Sequence, residues 1–190
     1  MPRGARLPAR YMRVIGGSAK GRHLKGPRGP GTRPTSDLVR GAVFDVLRSM
    51  GADFSCVLDL YAGTGALGIE ALSRGAGWCD FVERGHRSCE TIRENLAHTD
   101  LAARAAVHVL SARQVPERLR GPYTLVLADP PYNDERALED LERVAASPLV
   151  APEAVLVLEH PRRREAPPVL AGRPLLQTRR HGDTCVSFYR

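Results

Sequence analysis

The segment Asp129-Pro130-Pro131-Tyr132 follows directly on an apolar run, Thr124-Leu125-Val126-Leu127-Ala128. Consecutive prolines stiffen a loop and remove two N–H donors. The polar groups left are acceptors, the Asp129 carboxylate and the Pro130 carbonyl. An exocyclic amine on a planar base has two N–H donors and a delocalised, poorly nucleophilic lone pair. Two acceptors held rigidly bind both hydrogens and aim that lone pair at an electrophile such as a methyl sulfonium. Tyr132 is placed to stack on the face of the base. These four residues are the catalytic candidates. Their chemistry needs no covalent nucleophile, and the chain has no cysteine motif that would supply one. Taken alone, the same tetrapeptide also serves as a rigid turn, so its surroundings decide.

The surroundings include a second motif. Gly63-Thr64-Gly65-Ala66-Leu67-Gly68 is a G-x-G-x-x-G between the apolar run Cys56-Val57-Leu58-Asp59-Leu60 and a helical pattern. Glu83 ends the next apolar run, 20 residues after Gly63. Glycines at the first two positions let the backbone turn tightly and approach a ligand, the third lets the helix pack on the sheet, and the acid accepts ribose hydroxyls. This spacing argues for an adenosine cofactor without choosing NAD over S-adenosylmethionine. Two details favour the latter. Asp59 stands four residues before Gly63, where a carboxylate can receive a methionine ammonium that NAD lacks. An unpaired acid at that depth is costly, although a cap on the loop amides would also satisfy it. The other detail is the Asp129 loop, for which hydride transfer has no use.

No metal site is expected. His23, His98, His108, His160 and His181 lack ligand spacing, and Cys56, Cys79, Cys89 and Cys185 form no C-x-x-C pair. The cysteines read as reduced packing residues.

The elements that must position these groups alternate in period. Residues 56–60, 79–83, 105–109, 124–128 and 154–159 read as strands, and 66–74, 86–98 and 135–145 as helices. That order predicts an α/β fold, a mostly parallel doubly wound sheet with its ligand crevice at the strand ends. Residues 175–180 and 184–189 flank His181-Gly182-Asp183 as a closing antiparallel hairpin. Upstream, 12–15 and 22–25 form a short hairpin, 26–34 a Pro/Gly-rich linker, and Thr35 or Ser36 caps a helix running to about Met50.

With 190 residues, 43% hydrophobic and 26% charged, the chain suffices for one core without staples. No apolar run approaches the roughly 18 residues of a membrane span. The basic start lacks a signal-peptide stretch, so a cytoplasmic location is expected. No long exposed apolar helix face is left over, so a monomer is expected.

The net charge of +7 is unevenly placed. Residues 1–36 hold nine basic residues and no acid, whereas the remainder holds 19 basic and 21 acidic ones. A basic arm on a near-neutral body suggests a polyanion held mainly by the N-terminus. A GC-rich genome explains arginine over lysine but not an acid-free stretch.

Asp59-Leu60-Tyr61-Ala62-Gly63-Thr64-Gly65-Ala66-Leu67-Gly68-Ile69-Glu70-Ala71-Leu72-Ser73-Arg74-Gly75-Ala76, with Asp129-Pro130-Pro131-Tyr132, resembles the class I S-adenosylmethionine-dependent amino-methyltransferases. Arg13-Val14-Ile15-Gly16-Gly17, Gly21-Arg22 and Arg33-Pro34-Thr35-Ser36-Asp37-x-Val39-Arg40 make the chain similar to one family, the bacterial small-subunit rRNA guanine-N2 methyltransferases called RsmD, over about residues 12–190. The resemblance implies a Rossmann-like fold and methyl transfer from S-adenosylmethionine, released as S-adenosylhomocysteine, to the N2 amine of one guanine in 16S rRNA. It also implies a small-subunit assembly particle as the substrate.

Carried over, Asp59, Gly63 and Gly65 hold the methionine end, with Tyr61, Ala62 and Thr64 completing the cofactor loop, and Glu83 holds the ribose. Ser111 and Ala112 lie beside the adenine. Such enzymes often have an acid or amide where this chain has Ser111, so adenine contacts are expected from the Ala112 backbone. Asp129, Pro130, Pro131 and Tyr132 orient a guanine that has left its stack. Arg13, Lys20, Arg22, Lys25 and Arg33 would clamp phosphates, with Thr35, Ser36 and Arg40 nearer the catalytic body. Arg162-Arg163-Arg164 is a lesser patch.

The expected organisation is a mobile basic tail (1–11), a hairpin and linker acting as an RNA clamp (12–34), and a methyltransferase domain (35–190). Competing readings are amino-methyl transfer to adenine or cytosine of another nucleic acid or to a protein glutamine, an NAD-dependent oxidoreductase, and a silent RNA-binding assembly factor.

Overall fold

The computed structural model describes residues 12–26 and 37–190. The expected tail, the linker with Arg33, and the caps Thr35 and Ser36 lie outside the described residues.

Five short apolar runs form parallel strands: β3 (Cys56–Leu60), β4 (Trp78–Glu83), β5 (Ala105–Val109), β6 (Tyr123–Ala128) and β7 (Val150–Pro161). Central strands of this kind are apolar on both faces because helices cover both. The crossovers contain α2 (Ala66–Ser73), α3 (His86–His98), the one-turn α4 (Val115–Arg118) and α5 (Ala137–Ala145). Three further strands, β8 (Val169–Leu170), β9 (Arg173–His181) and β10 (Thr184–Tyr189), extend the sheet antiparallel, in the order β5-β4-β3-β6-β7-β10-β9-β8. The expected doubly wound α/β fold with its closing hairpin is present. From β3 the chain winds outward first through β4 and β5, then on the other side through β6 and β7. The crevice of such a sheet lies at this reversal, beyond the C-terminal ends of β3 and β6.

Strand β7 outruns its apolar pattern at both ends: Val150 pairs with Tyr123 of β6 at its start, and β10 pairs with it from Leu156 to Pro161. β8 and α4 escaped the sequence reading because two and four residues are too short to show a period. No helix among the described residues is long and apolar enough to cross a membrane.

Alternation along the strands divides the core. Val57, Phe81, Leu125, Leu127, Val155 and Val157 pack toward α2, α3 and the helix α1 (Asp37–Ser49). Leu58, Leu60, Val126, Ala128, Leu156 and Leu158 pack toward α4 and α5.

The N-terminal hairpin, β1 (Met12–Arg13) with β2 (His23–Leu24), joins the first of these cores through Met12, Val14, Ala19 and Leu24. Polar side chains from the body fasten it. The buried Glu70 carboxylate accepts the N–H groups of Ile15 and Gly16, both at 2.8 Å, and the Arg74 Nε–H at 2.6 Å. Ser73 Oγ accepts from Ala19 N at 2.9 Å and donates to Gly16 O at 2.6 Å. Asn95 Oδ1 accepts from Lys25 N at 2.8 Å, and its Nδ2 donates to Thr64 O at 2.9 Å, linking the hairpin to the glycine loop.

Arg40 requires a correction. Its side chain is wholly buried, and its Nη2 donates to Arg13 O at 2.7 Å and to Asp37 Oδ1 at 2.8 Å. It ties β1 to α1 and presents no guanidinium to a phosphate.

Candidate active site

At the sheet reversal lies a cavity of about 790 Å³, within the range of small-molecule and cofactor sites. Its floor follows from strand geometry. Side chains two apart share a face, so Glu83, Asp59 and Asp129 continue the rows of Phe81, Val57 and Leu127 onto the α1–α3 side. All three acids line the cavity.

The loop after β3 is sharply bent. Tyr61 has φ +58°, a strained conformation for a non-glycine residue, and its buried hydroxyl has no hydrogen-bond partner among the described residues. Gly65 has φ +79° and donates to Ala62 O at 2.7 Å. A Cβ on Gly68 would lie 2.3 Å from the Phe81 ring, so glycine there lets α2 sit directly on β4. Glu83 braces this loop: its two carboxylate oxygens accept from Gly63 N at 3.1 Å and Gly85 N at 2.7 Å. Asp59 is 1% exposed and accepts from Gly68 N at 2.9 Å. It is therefore a loop cap that also lines the cavity. Burial raises its pKa to about 8; the Gly68 N–H opposes this, and the charges of Asp129 and Glu83 add to it.

Asp129, Pro130, Pro131 and Tyr132 line the same cavity from the end of β6. The Tyr132 phenol is hydrogen-bonded to Thr184 Oγ1 at 2.6 Å, which anchors the loop to β10. Ser111 and Ala112 also line the cavity. The Ser111 side chain is engaged in a capping box with Gln114, whose Oε1 accepts from both Ser111 N and Ser111 Oγ at 3.0 Å. Of the expected cofactor residues, Asp59, Tyr61, Ala62, Gly63, Thr64, Glu83, Ser111 and Ala112 come together around this space, while Gly65 lies beneath it, packed toward Ile92 and Phe81.

The hairpin cations do not line the cavity. Arg13, Arg22 and Lys25 form exposed ion pairs with Asp37, Asp100 and Glu94 at 3.1, 2.7 and 2.9 Å, and Lys20 is exposed. Arg163, from the lesser basic patch, lines the cavity, as do Arg84, Arg87, Glu159, His181 and Thr184, which no sequence motif marks as site residues. Arg84 and Arg87 follow Glu83 at the turn into α3, whereas Glu159, Arg163, His181 and Thr184 are brought there by the pairing of β10 with β7 and β9. Among the described residues no cluster of three or more His, Cys, Asp or Glu is arranged for a metal ion.

The family model described as conserved hypothetical protein 95 matches residues 12–190. YlbH of Bacillus subtilis (strain 168) is 34% identical over 183 residues, covering 94% of this chain and 98% of its own. Ribosomal RNA small subunit methyltransferase D of Escherichia coli (strain K12) is 33% identical over 179 residues, covering 94% and 89%. The solved structure of yhhF from Escherichia coli matches with a TM-score of 0.81 at 31% identity, covering 94% of this chain and 97% of that one. By the extent of these matches the chain belongs to the conserved hypothetical protein 95 family, the RsmD family that its sequence motifs resemble.

Proposed function

We propose that this protein transfers a methyl group from S-adenosylmethionine to the exocyclic N2 amine of a guanine in 16S rRNA, acting on the small subunit or an assembly intermediate. The relative named ribosomal RNA small subunit methyltransferase D supports an rRNA substrate. One observation carries the rest: the rigid acceptor loop 129–132 and the acid-braced glycine loop leave the ends of the paired strands β6 and β3 and line a single cavity at the sheet reversal.

The residues suit the cofactor. Asp59 offers a deep carboxylate for an ammonium, Glu83 keeps further lone pairs for ribose hydroxyls, and the Tyr61 hydroxyl lacks a partner among the described residues. Gly63, Thr64 and Gly65 bring backbone close, and Ser111 with Ala112 borders the adenine. Because the Ser111 side chain is engaged by Gln114, the adenine amine is read by backbone. Bound there, S-adenosylmethionine would supply an electrophilic methyl on a sulfonium sulfur, with the neutral thioether S-adenosylhomocysteine as the leaving group. Asp129 and the Pro130 carbonyl hold the two N2 hydrogens and align the nitrogen lone pair. The proton shed as the C–N bond forms leaves along the Asp129 hydrogen bond. Tyr132, held by Thr184, stacks on the base.

RNA contact is proposed at two places. Arg13, Lys20, Arg22 and Lys25 are exposed on the hairpin, and the ion pairs of Arg13, Arg22 and Lys25, each worth roughly 0–1 kcal/mol, exchange readily for phosphate. Arg162, Arg163 and Arg164 are exposed at the end of β7, where Arg163 lines the cavity.

The test uses methyl-labelled S-adenosylmethionine and small subunits from cells lacking this enzyme. Label is expected in N2-methylguanosine, falling about 100- to 1,000-fold in Asp129→Ala with cofactor binding retained. Label in a different nucleoside, or equal turnover by the variant, defeats the proposal.

A further inference from the structure

The acids at the sheet edge do not end with Asp129. β6 and β7 pair in parallel through Ala128 and Leu158, so the residues that follow, Asp129 and Glu159, stand side by side on neighbouring strands, about 4.8 Å apart. They also share a face: two residues earlier, Leu127 and Val157 both pack on the α1–α3 side. Glu159 is 8% exposed and lines the same cavity, together with Tyr132, His181 and Thr184. A carboxylate has about four lone-pair sites, so hydrogen bonds within the protein leave room for a ligand donor. A second polar group borders this end of the cavity. His181 Nε2 is buried with no hydrogen-bond partner among the described residues, and His181 borders the same space.

We infer that Glu159 accepts the N1–H of the target guanine and so selects guanine over adenine and cytosine. The inference rests on the N2-guanine reading and deepens it. On the Watson–Crick edge of guanine, N1–H lies next to the N2 amine. With N2 held by the Asp129 loop, the acceptor on the adjacent strand meets N1–H. Adenine and cytosine place a ring-nitrogen lone pair beside their amines, and a carboxylate there opposes acceptor with acceptor. Asp129 orients the reacting nitrogen, and Glu159 identifies the base.

The experiment compares rRNA carrying guanine or 2-aminopurine at the methylated position, assembled into small subunits. 2-Aminopurine keeps the N2 amine but has a lone pair at N1. The wild-type protein is expected to methylate guanine at least about 100-fold better in kcat/KM. In Glu159→Gln, whose side-chain amide can donate to N1, that ratio is expected to narrow by about 10-fold or more, with S-adenosylmethionine affinity unchanged. Glu159→Asp keeps the preference for guanine at a lower rate. Equal use of the two bases by wild type overturns the inference without needing any variant. So does a ratio that stays fixed in Glu159→Gln while both rates fall together, which marks a merely structural residue. Failure of the underlying reading looks different: wild type would then leave no label on guanine N2 at all.

Discussion

Asp59 gives the cofactor assignment a proton count. Burial lifts this carboxyl from an ordinary 3.8 to about 8. In the ligand-free protein at pH 7 it is then roughly nine-tenths protonated. An α-amino group, with a pKa of about 7.7–8.0, is mostly ammonium at that pH. The bound carboxylate–ammonium pair holds one proton between the two groups, so binding at pH 7 is expected to release about 0.8 proton. Affinity should rise about tenfold per pH unit between pH 5.5 and 7, or roughly 1.4 kcal/mol per unit. It should peak near pH 8 and fall above, where the amine loses its proton. Isothermal titration in two buffers of different ionisation heat measures the release, and dissociation constants across pH measure the slope. The same shift acts on folding. A pKa raised in the folded state means that the unfolded chain ionises first. The contribution of Asp59 to the stability of the ligand-free protein is therefore full below about pH 4 and declines until pH passes about 8. Asp59→Asn should remove that decline and the proton release together, while weakening cofactor binding. No proton release at pH 7, with a flat affinity from pH 5.5 to 7, would refute the pairing of Asp59 with the ammonium.

The hairpin and the sheet packing yield further expectations. Glu70→Ala strands the Ile15 and Gly16 N–H groups and the Arg74 guanidinium; it should cost about 3–5 kcal/mol in urea unfolding, and a loss under about 1 kcal/mol would show that the hairpin is held otherwise. Gly68→Ala drives a Cβ to 2.3 Å from the Phe81 ring and 2.8 Å from Cys79 Sγ. It should destabilise by about 1–3 kcal/mol, and an unchanged Tm contradicts the close packing of α2 on β4. For RNA binding, changing Arg162, Arg163 and Arg164 to Gln should reduce the slope of log K against log salt by about 0.7 for each phosphate no longer neutralised. The same measurement on a Gln set at Arg13, Lys20, Arg22 and Lys25 weighs the hairpin. A slope unmoved by either set places the phosphates elsewhere.

The central strands, the glycine loop and the acceptor loop were legible because each is a local pattern. β3, β5 and α3 begin and end where their periods predict, since a short apolar run between turn residues has few ways to be buried. Asp59, Glu83 and Asp129 were found because each lies at a strand end, and all strand ends of a parallel sheet open toward one crevice. Charge was less informative than it looked. Arg40 counts as one more cation in the sequence, yet in the fold it is a buried brace between β1 and α1. Three of the hairpin cations have acidic partners 24 to 78 residues away, and such pairings have no signature in composition.

Glu159 shows the division most clearly. In the sequence it is only the last residue of an apolar strand. Residue order determined the element types, the sheet class and the two loops, because period, turn chemistry and glycine spacing act over a few positions. Strand register, the insertion of β10 between β7 and β9, and the docking of the hairpin on Glu70 were decided by tertiary structure. Those interactions join residues far apart in the chain, and their energies depend on which surfaces are buried together.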